Sequence, residues 1–316
     1  MAWLCGIDEA GYGPNLGPMV TTLVTVPLWN RSESIDLWNE LKSIVRKADG
    51  SRDERIIVDD SKAVYSPAKG LGTLERSVLT LLDAAPARLR DLWDTHISTP
   101  WEEMEREPWH CGELELPQAF DGETSEGKSR LSKQLSAKQI GAFSFRCIVT
   151  FPRPFNAMTD RHDSKGAVTL WAVGKLLEQL PELCEQHRRG YFAMDKLGGR
   201  DYYQGLLRQC FFGMRLHCRE EGEAASRYRI ELKEGSWELT IEPKADSRHF
   251  VVALASMFSK YVRELLMHQF NTWWCARQPG LEPTAGYPND AVRWWKDTAK
   301  LRKKLGVPDD DLWRRR

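Results

Sequence analysis

Two adjacent carboxylates, Asp8 and Glu9, lie in the string Gly6-Ile7-Asp8-Glu9-Ala10-Gly11-Tyr12-Gly13-Pro14 near the start of the chain. Neighbours on a regular strand point to opposite faces, so both reach one place only if Glu9 already belongs to the following turn. Gly11 and Gly13 give that turn its freedom, because glycine accepts positive φ and lets other groups approach the backbone. A third carboxylate, Asp195, ends the apolar run Tyr191–Met194 and precedes Gly198-Gly199. Strand termini of this kind are where α/β sheets place their sites. A fourth, Glu264, lies one turn beyond Lys260 on an apolar helix candidate, where small Ala253, Ala255 and Ser256 would allow close packing on a sheet. Converging, the four could not all ionise without a counter-cation. Hard oxygen ligands suit Mg²⁺ or Mn²⁺, and such a site activates water for phosphodiester hydrolysis. Taken singly, each has a plainer reading: a polar turn, a capping Asp, a surface Lys–Glu pair.

Periodicity outlines the elements that must position these groups. Strands are expected at Trp3–Ile7 and Met19–Leu28, joined by the turn-rich Ala10–Pro18. Others are expected at Ala142–Phe151, Gly190–Met194, Phe211–Cys218, Arg227–Leu232 and Trp237–Ile241. Helical spacing marks Leu37–Val45, Ser66 to about Leu82, Lys165–Leu180 and Phe250 to about Phe270. The stretch 93–139, with Pro, Gly, Glu and Ser and weak periodicity, reads as a loop-rich insertion. No internal repeat is present.

Composition sets the class. With 316 residues, 41% hydrophobic, and 45 Lys+Arg against 45 Asp+Glu, the chain is an ordinary folded protein rather than a fibrous or disordered one. No stretch approaches ~20 uninterrupted apolar residues, so no membrane span is expected. The opening residues carry neither the basic nor the apolar region of a secretory leader, which points to the cytoplasm. Cysteines 5, 111, 147, 184, 210, 218 and 275 are scattered, without a C-x-x-C pair, and read as reduced thiols rather than disulfides or a zinc site. Thirteen tryptophans are either core or stacking platforms for bases. Between Lys260 and Arg316, twelve Lys/Arg face seven Asp/Glu, a net of +5 that could meet phosphates or simply be a solvated face.

The opening string, with Asn15-Leu16-Gly17-Pro18 after it, resembles the first motif of the type 2 ribonucleases H (the ribonuclease HII and HIII family). Further matches follow in order. Asp60-Ser61-Lys62 resembles the family's D-S-K, and Asp195 its lone strand-ending Asp. Lys244-Ala245-Asp246-Ser247 and Ala253–Glu264 resemble K-G-D-x…A-A-A-S-I-x-A-K-x-x-R-D, and Gly286-Tyr287 a late G-Y. The resemblance implies one ribonuclease H-like α/β domain over 1–316: a mixed five-stranded sheet flanked by helices, insertions at about 93–139 and 211–242, and a helical, basic C-terminal region from about 271. It implies Mg²⁺ or Mn²⁺ on Asp8, Glu9, Asp195 and Glu264. The substrate contacts it implies are Gly11, Tyr12, Gly13, Ser61, Lys62, Lys244 and Tyr287, with the Gly11–Gly13 backbone reading a ribose 2′-OH. The implied activity is cleavage within RNA–DNA hybrids or at ribonucleotides embedded in DNA, leaving 3′-OH and 5′-phosphate ends, by a monomer. A related nuclease of altered substrate choice and a non-catalytic nucleic-acid-binding paralogue are the alternatives. Two departures stand out: Tyr12 replaces the Arg of the HII turn, and Glu264 replaces Asp, a pattern closer to HIII.

Overall fold

Runs of apolar and β-branched residues near both ends of the sequence meet in one mixed sheet. Its strands are β1 (Ala2–Ala10), β2 (Met19–Leu28), β5 (Ser144–Thr150), β6 (Arg189–Asp195), β7 (Arg215–Glu221), β8 (Ser226–Glu231) and β9 (Ser236–Glu242), and the spatial order is β5-β2-β1-β6-β9-β8-β7. Two short strands, β3 (Val45–Arg46) and β4 (Ile56–Ile57), pair separately. The computed structural model describes every residue except Arg31, Glu33, Arg52, Cys111, Gly112 and Arg316, and only the backbone of Glu185. The expected readings of Cys111 and of Arg316 therefore lie outside the described residues.

The mixed α/β class expected from the sequence is the one the chain adopts, with seven strands in the main sheet rather than five. The difference arises at 211–231. There, β7 and β8 form a hairpin that continues the sheet beyond β9 by antiparallel pairing. β1, β6 and β9 are mutually parallel, so their C-terminal ends share one edge.

The helices are, in order, α1 (Leu37–Glu40), α2 (Ser61–Val64), α3 (Gly72–Leu81), α4 (Leu89–His96), α5 (Trp101–Glu105), α6 (Ser125–Ala137), α7 (Pro152–His162), α8 (Lys165–Leu177), α9 (Leu180–Gln186), α10 (Gln204–Cys210), α11 (Phe250–Arg277), α12 (Pro288–Asp297) and α13 (Ala299–Leu305). α11 lies across β1 and β2 at very close range. A Cβ at Gly6 would stand 2.7 Å from the backbone of Val251 and Val252, so only glycine permits the approach. Leu254, Phe258 and Leu265 of α11 are buried against the sheet. Burial of each such side chain is worth roughly 1.5–3 kcal/mol. A second core fills the opposite face beneath α7, α8 and α10. Trp93, Trp237, Trp274 and Trp294 are fully buried, which assigns these four rings to packing.

Three expected elements differ. The helix at Leu37–Val45 stops after Glu40, because Val45 pairs with Ile56 in β3–β4. The helix expected from Ser66 starts at Gly72, preceded by the short α2, which Asp60 caps by accepting from Lys62 N. The stretch 93–139 is loop-rich only in part: it holds the end of α4, all of α5 and α6, and no helix among the described residues of 106–124. α6 buries only Leu131 and Leu135, and so narrow a stripe produces little periodicity. Among the described residues Cys5, Cys147, Cys210, Cys218 and Cys275 form no disulfide, and no helix is long and apolar enough to cross a membrane.

Candidate active site

Strand register brings the acidic residues together. Ile7 pairs with Met194, placing Asp8 beside Asp195, and Asp195 in turn pairs with Glu242. Asp8 is 8% exposed and lies close to Ser256 of α11. Ser259 Oγ lies within hydrogen-bond distance of the Asp8 carbonyl (3.1 Å) and of Thr22 Oγ1 (2.7 Å), with one proton to share between them, which ties the strand end to the helix. Glu9 is still within β1 rather than in the turn, yet its charge acts on Asp8, and that of Asp195 acts on it. Asp195 Oδ1 accepts from Lys196 N at 2.8 Å and from Lys244 N at 3.0 Å. Lys244 adopts a left-handed conformation (φ 58°) that swings the chain from β9 into a 3-10 turn over Ala245–Ser247. That turn carries Asp246, whose carboxyl lies close to that of Asp60.

The electrostatics single this edge out. Burial, followed by Glu9, raises the Asp8 carboxyl well above its ordinary range, with Asp246 and Asp195 adding to the effect. Burial and then Asp195 lift Glu9 to about 7. Burial and then Asp60 and Asp195 lift Asp246 to about 6. Asp195 is raised by burial and partly relieved by the amides of Lys196 and Lys244. Lys62 is the cation that opposes the rise at Glu9 and Asp195. Mutual repulsion of this kind is relieved by protons or by a bound cation. Carboxylate oxygens are the donors that hard divalent cations prefer, so Asp8, Glu9, Asp195 and Asp246 suit such an ion by chemical type. Among the described residues no three acidic, His or Cys side chains already stand in a ligating arrangement, so these groups must draw closer to hold one.

Glu264 is engaged elsewhere. Its carboxylate accepts from Tyr65 Oη at 2.7 Å and from Lys260 Nζ at 2.6 Å, with Arg263 Nη1 at 3.5 Å. Asp60 and Asp246 are the members of the cluster that the sequence reading did not single out. The available signal was the Lys244-Ala245-Asp246 string itself, close after a strand terminus that registers with Asp195.

The remaining expected residues divide. Lys62 lies by the carboxylates. Ser61 is buried and accepts from Ser256 Oγ at 3.0 Å, a link to α11. Lys244 contributes its backbone N–H to Asp195. Gly11 has φ 91°, and a Cβ there would meet Arg263 Nε and the Pro18 carbonyl, each at 2.7 Å. Gly13 lies against Tyr287, whose ring edge would be 3.8 Å from a Cβ at that position. Tyr287 is 49% exposed, and the adjoining Gly286 carbonyl accepts from Asn15 N at 2.7 Å, fastening the turn to the start of α12. Tyr12 lies under Lys165 Nζ, 4.7 Å from its ring centroid.

No family model matches the chain, and no curated protein matches it significantly. Among solved structures it is similar to ribonuclease H2 from Pyrococcus horikoshii (15% identity, TM-score 0.47, covering 98% of this chain and 92% of that one). It is also similar to ribonuclease H3 from Aquifex aeolicus (14%, 0.38, 98% and 70%). A third similar structure is Bst-RNase HIII in complex with Mn²⁺ (15%, 0.43, 99% and 66%).

Proposed function

We propose that this chain is a divalent-metal-dependent endoribonuclease acting on RNA–DNA hybrids or on ribonucleotides embedded in duplex DNA. The observation that carries the reading is the meeting of Asp8, Glu9, Asp195 and Asp246 at one edge of the sheet, beside the glycine turn and the exposed ring of Tyr287. Asp246 takes the place first assigned to Glu264. These four carboxylates would hold Mg²⁺ or Mn²⁺. When bound, the cation supplies an activated water and neutralises the charge that develops on the phosphate.

The chain's own groups do the rest. Lys62, already near Glu9 and Asp195, meets the phosphate beside the cleavage point. The backbone of Gly11–Gly13 reads the 2′-OH that separates RNA from DNA. Tyr287 offers a flat face to the neighbouring sugar, and its position against Gly13 couples that contact to the 2′-OH reader. Ser61 acts from within the core by holding α2, and so Lys62, against α11. Hydrolysis in this geometry leaves 3′-OH and 5′-phosphate ends.

Two end-labelled duplexes test the reading, one with a single embedded ribonucleotide and one a continuous hybrid, each incubated with Mg²⁺, Mn²⁺ or EDTA. Cutting of either that requires the metal is the expected result. Absence of cutting by folded protein under all conditions would overturn it.

A further inference from the structure

Two buried guanidinium groups lie beneath the glycine turn. Arg263, on α11, donates from Nη2 to the carbonyls of Ala285 at 3.1 Å and Leu16 at 3.3 Å. Arg314, 1% exposed, comes from the segment after α13 and donates from Nη2 to the Pro14 carbonyl. The backbone of that segment is fastened to the same turn. Arg314 N donates to the Asn15 carbonyl at 2.7 Å, and Asn15 Nδ2 donates to the Arg314 carbonyl at 3.3 Å. Arg153 pairs with Asp311 through two contacts, and Asn156 Nδ2 donates to the Trp313 carbonyl at 2.8 Å, so the strap is also held to α7.

The strap explains the position of Arg314 but not its charge. Its Nε and Nη1 are buried without a hydrogen-bond partner, and among the described residues no carboxylate pairs with it. The ring of Phe155 stands 4.8 Å away, and its charged neighbour is another cation, Arg263. An unpaired buried charge is costly, and a neighbour of like sign adds to the cost. The turn above them, Gly11 to Gly17, contains no cation of its own. Among the described residues no hydrogen bond engages the backbone N–H of Tyr12 or Gly13. An anion seated on this turn would meet open N–H groups backed by the unpaired charge of Arg314 and by Arg263, whose own charge Glu264 partly balances, an arrangement that favours phosphate.

We propose that Arg314 is a positioning residue for the substrate: it braces the Pro14 carbonyl from below and, with Arg263, makes the outer face of the turn attractive to a phosphodiester, so that the C-terminal strap is part of the nucleic-acid site. The proposal rests on the function proposed above and adds a residue distant in sequence from every motif matched there. A purely structural arginine would behave differently from a positioning one. The backbone bonds to Asn15 survive any substitution at 314, and an apolar side chain of similar length removes a buried unpaired charge, which ordinarily does not weaken a fold.

The experiment compares wild type, Arg314→Met and Arg314→Lys. Fluorescence anisotropy measures the affinity of each for a labelled RNA–DNA hybrid and for the all-DNA duplex of the same sequence, without divalent metal, and thermal melting follows the fold. The Met variant is expected to bind the hybrid about tenfold more weakly, with reduced preference over DNA and a melting temperature no lower than wild type. The Lys variant is expected to recover most of the affinity, because it keeps the charge. Wild-type affinity in a folded Met variant would overturn the proposal alone. So would a marked loss of melting temperature shared by both variants, which would make Arg314 a folding residue. Failure of wild type to bind the hybrid would overturn the proposed function and, with it, this extension.

Discussion

Glu75 in α3 and Asp8 at the end of β1 are both buried carboxylates that meet α11, in opposite surroundings. Glu75 is fully buried and accepts four hydrogen bonds, from the amides of Gln118 (2.7 Å), Ala119 (2.6 Å) and Phe120 (2.9 Å) and from Tyr261 Oη (2.9 Å). Burial and then the Glu75 charge push the Tyr261 hydroxyl upward, as befits a phenol donating to a carboxylate. Every lone pair that counts is satisfied, and the result is a staple that fixes the 118–120 segment to the core. Asp8 has Glu9, Asp195 and Asp246 for neighbours, and its own carboxyl is pushed up rather than stabilised as an anion. The fold can satisfy a buried carboxylate and does so at Glu75. At the sheet edge it leaves the charges opposed, the pattern of a site kept at the expense of stability.

The contrast is broken most severely by Asp8→Asn, which should lower cleavage by more than about a hundredfold, since ligand-network changes at metal sites have effects of at least this order. Hybrid binding should persist, and the melting temperature should hold or rise as repulsion is relieved. A variant that cleaves normally would remove Asp8 from the site. Glu75→Gln should do the reverse. Replacing a charged acceptor of four hydrogen bonds should cost about 2–4 kcal/mol in urea unfolding, while the folded fraction still cleaves. Loss of cleavage with unchanged stability would erase the distinction between the two carboxylates.

Divalent cation sharpens the same contrast. Millimolar Mn²⁺ should stabilise wild type and Glu75→Gln by up to about 2.7 kcal/mol at a hundredfold excess over its dissociation constant, read as a rise in melting temperature. It should raise that of Asp8→Asn far less, and an equal shift in all three would place the ion elsewhere.

The smallest effect concerns His110, whose Nδ1 meets Gln269 Oε1 at 3.2 Å while its Nε2 is buried without a partner. Burial pushes its pKa down to about 3, against some 6.5 in the unfolded chain. Below pH 6.5 the unfolded chain takes up a proton that the native ring resists. Stability should therefore fall with acid by up to about 1.4 kcal/mol per pH unit until pH reaches about 3. His110→Gln should flatten that dependence between pH 7 and pH 5, and an unchanged slope would show that His110 is not its source.

Much of the carboxylate cluster was legible because its residues are local in sequence. Asp8, Glu9 and the glycines of the turn sit in one string, and Asp195 marks a strand end by the apolar run before it. Glu264 stands apart from the cluster in a way the sequence does not show, because residue type and helical position say nothing about which partners a side chain finds, and here Tyr65 and Lys260 hold it. Asp246 depends on the left-handed turn at Lys244, which a non-glycine residue does not announce. The same limit applies to the fold. Strands that alternate cleanly, such as Arg227–Leu232, were readable to within a residue or so, whereas α6 buries too narrow a stripe to show a period. Arg314 was visible only as part of a basic run, since its burial depends on packing against a turn some 300 positions earlier.

Cleavage by Asp246→Asn and Glu264→Gln, measured side by side on the same end-labelled hybrid with Mn²⁺, tests the central claim most directly. Loss of more than about a hundredfold in Asp246→Asn, with Glu264→Gln within about tenfold of wild type, is the result this geometry predicts. Wild-type cleavage by Asp246→Asn together with an inactive, folded Glu264→Gln would contradict it and return the fourth carboxylate to the long helix.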